Sequence, residues 1–199
     1  MKKLTVIIPV YNQEDLIFRA LDSVPKLERV DIIVVNDGST DNTNTIIKMY
    51  IEDNPDQKIM HITNTKNRGV AFTINRALDV ATGDYIVLLG SDDYFIPEGL
   101  IKVMKSMNTA DLIYFNLEIN SGKIFELLPA TKNGYCGSVK LMRREFIGDT
   151  RNPIMLAGED WNFNNMLLAK NPTEIFTHIV AKHYNYPRKG SLSDIYGNK

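Results

Sequence analysis

The chain of 199 residues holds a single cysteine, Cys136, so it can close no internal disulfide and build no multi-cysteine zinc site. It also lacks a charge excess. Twenty-three Lys and Arg stand against 24 Asp and Glu, a net charge of −1 without the basic footprint of a nucleic-acid binder. Long apolar runs are missing too. No stretch reaches the roughly 20 apolar residues of a membrane span. The first apolar run, Leu4 to Val10, is too short for the core of a signal peptide. The expected setting is the cytosol, with peripheral contact at the inner face of a membrane left open. No Gly-x-Gly-x-x-Gly follows that run, which argues against a dinucleotide oxidoreductase. Nor is there a Gly-rich loop with a basic residue to hold a triphosphate, as a sugar-1-phosphate nucleotidyltransferase would need. That place reads Tyr11-Asn-Gln-Glu14.

What is present is a regular alternation, in a chain that is 44% hydrophobic and long enough for a substantial core. Strands are predicted over 4–10, 31–35, 58–62 and 85–89. Helices are predicted over 14–24, 41–51 and 69–81, the second capped by Asp41 or Ser39. A fourth helix opens at Pro97, a favoured first-turn residue. Apolar strands alternating with helices imply a mostly parallel sheet covered on both faces. The second half reads as strands over 111–117, 123–127 and 135–142 with antiparallel pairing. A short helix is predicted from Arg143-Arg144, a longer one from Glu159 to about Ala169, and an extended run over 177–186. No repeat, low-complexity tract or linker divides the chain, so one domain is expected.

In such sheets ligands bind beyond the carboxyl ends of the strands. Three of those ends carry Pro9-Val-Tyr-Asn12, Asn36-Asp-Gly-Ser39 and Ser91-Asp-Asp93. The last is the most informative. An apolar strand ends in two adjacent carboxylates, which repel one another and need solvent or a counter-ion. A Mg²⁺ or Mn²⁺ ion shared with a diphosphate suits such hard oxygen ligands. A solvated turn capping the next helix is the plainer account.

The order of segments resembles the inverting GT-A glycosyltransferases of family 2. The resemblance is carried by Val6-Ile-Ile-Pro-Val-Tyr-Asn12, Val35-Asn-Asp-Gly-Ser-Thr-Asp41 and Asn67-Arg-Gly69 with Asn75. Gly83-Asp-Tyr-Ile86 through Asp92-Asp93, and Gly158-Glu-Asp160, complete it. It implies an α/β, Rossmann-like GT-A domain over 1–199. Residues 1–97 would form the nucleotide-sugar half and 98–199 the acceptor side, with a mobile C-terminal tail. It implies transfer of a hexosyl or N-acetylhexosaminyl group, with inversion, from a nucleotide-diphosphate donor of UDP type. The acceptor would be a carbohydrate or a lipid-linked carbohydrate, in surface polysaccharide or glycolipid synthesis. Carried over by position, Pro9, Tyr11 and Asn12 would line the base pocket and Asp37 would accept from the base. Asp92 would contact ribose or sugar, and Asp93 would hold Mn²⁺ or Mg²⁺. Asp160 would be the general base. Arg68 or Arg76 would reach the diphosphate, as would Arg188 and Ser191 of the tail.

Two departures from the family pattern stand out. Gly90 occupies a place where many members have Asp, and Ile74 one where many have Arg. Plainer accounts exist for several candidates. Asp37 suits an Asx turn. Glu14 and Asp15 suit the start of the first helix, and Glu159-Asp160 the N-terminus of another. Trp161 suits either an acceptor wall or the core. Arg143 and Arg144 suit the surface, His61 a structural place, and Arg188 a solvated tail. The alternative function is a nucleotide-sugar-binding module or scaffold without turnover. In a chain this short, a partner or a second copy would complete the acceptor subsite.

Overall fold

The computed structural model describes residues 1–130, 138–155 and 158–187. The expected tail contacts Arg188 and Ser191, and Cys136, lie outside the described residues. Strands β1 (Leu4–Val10), β2 (Val30–Asn36), β3 (Ile59–Thr63) and β4 (Tyr85–Leu88) alternate with helices α1 (Ile17–Asp22), α2 (Thr43–Asp53) and α3 (Val70–Leu78). Then follow β5 (Tyr94–Phe95), α4 (Pro97–Val103), β6 (Leu112–Ile119), β7 (Ile124–Phe125) and β8 (Lys140–Arg143). The chain continues through α5 (Arg144–Ile147), α6 (Glu159–Leu168) and β9 (Glu174–Tyr184).

The described strands form one sheet in the order β3-β2-β1-β4-β8-β6-β9-β5, with β7 against β6. β3, β2, β1 and β4 are parallel, while β8 is antiparallel to both neighbours. The GT-A-like, mostly parallel sheet with an antiparallel element in the second half is therefore what the chain folds into, although β6 and β9 pair in parallel. Side-chain alternation builds a core on each face. Leu4, Val6 and Ile8 join Ile17, Leu21, Ile47, Tyr50 and Leu100 from α1, α2 and α4. Ile7, Ile33 and Val35 join Ile74, Leu78, Phe163 and Leu167 from α3 and α6 on the other face.

The predicted elements are present with shifted ends. α1 begins three residues later than expected, because the amides of Gln13 and Glu14 bond across to Thr43 and Asp41 instead of opening a helix. β8 occupies only the end of the predicted 135–142 run, part of which lies outside the described residues. β9 starts earlier than expected and carries an irregularity at His178 (φ 55°), where its register with β6 shifts. Arg143 pairs with Asp111, and the Arg144 guanidinium donates to the Gly83 carbonyl at 2.8 Å, so both tie the end of β8 to the segments leading into β6 and β4. His61 is half-buried, and burial, helped by the charge of Lys48, holds its pKa below the usual histidine value.

Candidate functional site

The strand order reverses at β1. The chain steps outward from β1 to β2 to β3, then returns to place β4 on the other side. A crevice at the carboxyl ends of β1 and β4 follows from that topology. Pro9 helps open it. On β1, Ile7 turns its carbonyl to Leu89 on the β4 side and Val10 turns its carbonyl to Asp37 on the β2 side. Residue 9 shares the orientation of residue 7, and a proline has no N–H to offer there. The β1–β4 ladder accordingly ends at Ile7↔Leu88, whereas β1–β2 pairing runs on to Val10↔Asn36.

The loops after β1 and β2 are zipped together. Asn12 N–H donates to Ser39 Oγ at 3.0 Å, and Asn12 Oδ1 accepts from Thr40 N–H at 2.8 Å. Glu14 N–H donates to Asp41 Oδ2 at 3.1 Å, while Glu14 Oε2 accepts from Asn42 N–H at 2.8 Å. Glu14 therefore serves the second helix rather than the first. Asp41 also accepts from Thr43 N–H at 3.0 Å, one place before the helix cap at Asn42. Burial alone would raise the Asp41 pKa, but bonds from Thr43 and Glu14 hold it below the usual carboxylate value. Asn12 takes a left-handed φ of 49° to make these contacts. Tyr11, beside it, stays 41% exposed, as a ring available for stacking must be.

Asp37 is buried, and its carboxylate faces the protein. Oδ1 accepts from Asn64 Nδ2 at 2.7 Å and Arg68 N–H at 2.9 Å, and Oδ2 from Gly69 N–H at 2.8 Å. These bonds bind the β2 loop to the Asn67-Arg-Gly69 segment. Gly38 makes the close approach possible. Its φ is +72°, and a Cβ there would lie 2.6 Å from the Lys66 backbone. Arg68 stacks on Phe72 at 4.1 Å. With Arg76, Asn64 and Thr63 it lines a cavity of about 180 Å³ beside β3. Arg76 spends its guanidinium on Thr63 O and Asn64 Oδ1. Both arginines are exposed residues, and the Arg68 guanidinium lies over the Phe72 ring.

After β4 the chain turns tightly, with Asp93 N–H on Gly90 O at 3.0 Å. A Cβ at Gly90 would sit 2.9 Å from Asp92 Oδ1 and 3.0 Å from Asp93 Oδ2. The two carboxylates fold over this position. Asp92 is half-buried, and its carbonyl accepts from the Arg19 guanidinium at 2.8 Å. Asp93, expected as the metal ligand, has other partners here. It is 3% exposed, with Oδ2 on the Lys182 ammonium at 2.7 Å and Oδ1 on Asn185 N–H at 2.9 Å. Among the described residues no group of three or more His, Cys, Asp or Glu converges to cage a metal. A hard oxygen donor such as the Asp92 carboxylate suits a divalent ion whose other ligands are phosphate oxygens.

Asp160 opens α6 behind Gly158, which sits at a left-handed φ of 83°. Its Oδ1 accepts from Trp161 N–H at 2.7 Å, and both residues are exposed, Trp161 by 52%. Trp161 is thus no core residue. Phe163 and Leu167 seat the helix on the sheet, and the buried Lys140 of β8 donates to Asn164 Oδ1 at 2.9 Å. The segment before α6 is tied to α3 by Asn75, which exchanges 2.8 Å bonds with the Asn152 backbone.

Burial raises the Glu159 pKa, and the neighbouring Asp160 charge adds to the shift. A raised carboxylate stabilises the fold fully below its unfolded pKa, and that contribution is lost as pH rises through the folded value. Glu159→Gln should therefore melt at a higher temperature than wild type at pH 7. The gap should close below pH 4.5, the ordinary glutamate value, as circular dichroism melts across pH would show.

Lys182, Lys140, Asn152 and Asn164 were not singled out in the sequence. The signal available was a lysine inside an apolar run, in Ser138-Val-Lys140-Leu and in Val180-Ala-Lys182.

A switch-point crevice with an acidic turn at one strand end and a polar, aromatic loop at the next defines an α/β domain of the nucleotide-sugar-transferase type. The chain belongs to glycosyl transferase family 2, whose profile matches residues 5–162. It is 39% identical over 191 residues to the poly(ribitol-phosphate) beta-glucosyltransferase of Bacillus spizizenii, covering 90% of this chain and 28% of that protein. It is 28% identical to glycosyltransferase GlyA of Streptococcus pneumoniae, covering 99% of this chain and 32% of that protein. The chain thus spans about a third or less of these curated relatives. Among solved structures, S. aureus TarS 1–349 in complex with UDP-GlcNAc superposes with a TM-score of 0.81 at 23% identity, over 95% of this chain and 60% of that one. The mannosyltransferase PcManGT from Pyrobaculum calidifontis, in complex with GDP-Man and Mn²⁺, does so at 0.74 and 21% identity, over 95% and 58%. These likenesses show the fold.

Proposed function

We propose that this chain carries the donor site and catalytic base of a metal-dependent, inverting glycosyltransferase. It would use a UDP-hexose or UDP-N-acetylhexosamine to extend a carbohydrate or lipid-linked carbohydrate in surface polysaccharide synthesis. The observation that carries the reading is that the acidic Ser91–Asp92 turn and the Tyr11–Asn12 loop follow β4 and β1, neighbouring parallel strands at the switch point of the sheet. The two bound neighbours support a nucleotide-sugar donor, and one of them a Mn²⁺ ion. The name of the Bacillus relative, a poly(ribitol-phosphate) beta-glucosyltransferase, supports a polymer as acceptor. The setting that goes with this reading is cytoplasmic, at the inner face of a membrane. No helix among the described residues is long and apolar enough to cross one.

In this mechanism Tyr11 stacks on the base, and Pro9 and Asn12 hold the rim. Asp37 acts from behind by fixing the Arg68–Gly69 backbone. Arg68 approaches the diphosphate, as does Arg188 of the tail. Asp92 would hold the Mg²⁺ or Mn²⁺, which when bound supplies Lewis-acid neutralisation of the leaving diphosphate. Asp160 accepts the proton of the acceptor hydroxyl as it attacks the anomeric carbon opposite the leaving group, a single displacement that inverts configuration. Trp161 offers a flat face to the acceptor sugar.

Calorimetric titration of UDP, dTDP and GDP, each with and without Mn²⁺, tests the reading. UDP should bind in a Mn²⁺-dependent way, and Asp92→Asn should weaken it at least tenfold, the loss of one charge-assisted ligand. No binding by any nucleotide would overturn it.

A further inference from the structure

Helix α3 touches two loops of the site. At its start, Gly69 gives its N–H to Asp37 Oδ2 at 2.8 Å. Further along, Asn75 meets the segment that leads into α6. Its side chain accepts from Asn152 N–H at 2.8 Å and donates to the Asn152 carbonyl at 2.8 Å, with the Asn152 side-chain amide on the same oxygen at 3.3 Å. Asparagine forms helices less well than alanine, so α3 itself gives no reason for it here. The reason lies on the other side of the contact. Asn152 is 3% exposed and belongs to no helix or strand, yet a buried backbone must hydrogen-bond somewhere. It also precedes Pro153, which disfavours a helical backbone. An extended residue turns its N–H and carbonyl to one side, where a primary amide can meet both. One turn on, Asp79 pairs with Arg151 at 2.8 Å, but that carboxylate is exposed and such a pair contributes less. From Asn152 the contacts run on to α6. Met155 Sδ accepts from Asn162 Nδ2 at 3.4 Å, and the same amide donates to the Gly158 carbonyl at 2.9 Å. Asn162 ends the first turn of α6, two residues after Asp160.

We propose that Asn75 is a positioning residue for the base Asp160. This role rests on the glycosyltransferase reading of the site. By holding the Asn152 backbone, Asn75 sets where the lead-in segment reaches the first turn of α6, and so where the Asp160 carboxylate stands. The body of α6 is seated independently, by Phe163 and Leu167 on the sheet and by Lys140 on Asn164. What Asn75 adds is the aim of the first turn. A base must stand within hydrogen-bond reach of the hydroxyl it deprotonates, and a misplacement of about 1 Å can cost about 10²-fold in rate. Asn75 thus serves the acceptor side of the reaction, although its helix begins at the donor side.

The test is a double-mutant cycle of Asn75→Ala and Asp160→Asn. Turnover is read as UDP released from UDP-glucose or UDP-N-acetylglucosamine with water as the acceptor. UDP is titrated with Mn²⁺ by calorimetry, and thermal melts are recorded. Asn75→Ala should lower kcat about 30-fold, keep UDP–Mn²⁺ affinity within about threefold and lower Tm by about 6 °C. The double variant should stay within about threefold of Asp160→Asn, because misplacing a base already removed costs nothing more. Trp161, the only tryptophan, reports beside the base without turnover. Its quenching by acrylamide should rise in Asn75→Ala, with a ceiling of about twofold because the residue is already 52% exposed. Should Asn75→Ala fail to fold, Asn75→Asp enters the same cycle, since it keeps the shape and sets an oxygen against the Asn152 carbonyl. Three results would overturn the inference. A double variant about 30-fold below Asp160→Asn would make the two residues independent. Lowered Tm with kcat within about threefold of wild type would make Asn75 purely structural. A tenfold or greater loss of UDP–Mn²⁺ affinity would place its effect at the donor. Failure of wild type to turn over either donor would instead sink the functional reading. Trp161 quenching would then still decide whether Asn75 orders the start of α6, and unchanged quenching would overturn that.

Discussion

Asp160→Asn should lower kcat by about 10³, because a positioned base contributes roughly 10²–10⁴ to a proton transfer of this kind. The amide keeps the shape and can still accept from Trp161 N–H, but it cannot take a proton from the acceptor hydroxyl. Donor binding should change little, since Asp160 lies on α6 and the proposed base and diphosphate contacts lie in the loops after β1, β2 and β4. A steady-state assay paired with a UDP–Mn²⁺ titration separates the two effects. If Asp160 serves only the α6 N-terminus, the change would instead be about 0.5 kcal/mol of stability with turnover intact. The neighbouring Glu159 offers the control. It is half-buried where Asp160 is exposed, so it is the less accessible to an acceptor hydroxyl, and Glu159→Gln should retain far more activity than Asp160→Asn. The opposite order would transfer the base role to Glu159.

Asp37→Ala should destabilise the protein by about 4 kcal/mol, or roughly 10 °C of Tm for a chain this size. The substitution strands three donors at once, the Asn64 amide and the backbone N–H groups of Arg68 and Gly69. Hydrogen bonds to a charged acceptor are worth about 1.5–3 kcal/mol each, and non-additivity keeps the total below their sum. Asp37→Asn should recover only part of the loss, because one of its two terminal atoms then donates where Gly69 N–H or Arg68 N–H also donates. Nucleotide affinity should fall as the Arg68 loop loosens. The alternative, that Asp37 is a direct base contact, foresees lost UDP affinity with Tm nearly unchanged. Thermal melts and titrations on the same preparations tell these apart.

Much of the donor half was legible because its signals are local. Leu4 to Val10 alternates between two helical layers, and a seven-residue apolar strand between polar turns can hardly be anything else. Asn36-Asp-Gly-Ser39 marks a turn, and the backbone clash at Gly38 shows why the glycine sits there. The resemblance placed the acidic turn and Gly158-Glu-Asp160 on the elements where the structure has them. The limits of α1 and β9 were harder to read. The Gln13 and Glu14 amides are claimed by α2, and β9 takes its register from β6, partners distant in sequence.

By itself the sequence determined the strand-and-helix order, the parallel first half and the acidic ends of the strands, because side-chain period and turn chemistry act over a few residues. Only the tertiary structure decided what each carboxylate does. Asp37 was assigned to a ligand and turns inward to backbone amides. Asp93 was assigned to a metal and meets a buried lysine. Asp92 and Asp93 are neighbours with the same chemistry. The ammonium that meets Asp93 is delivered by a strand about 90 residues away, and no local pattern encodes a partner so distant in sequence.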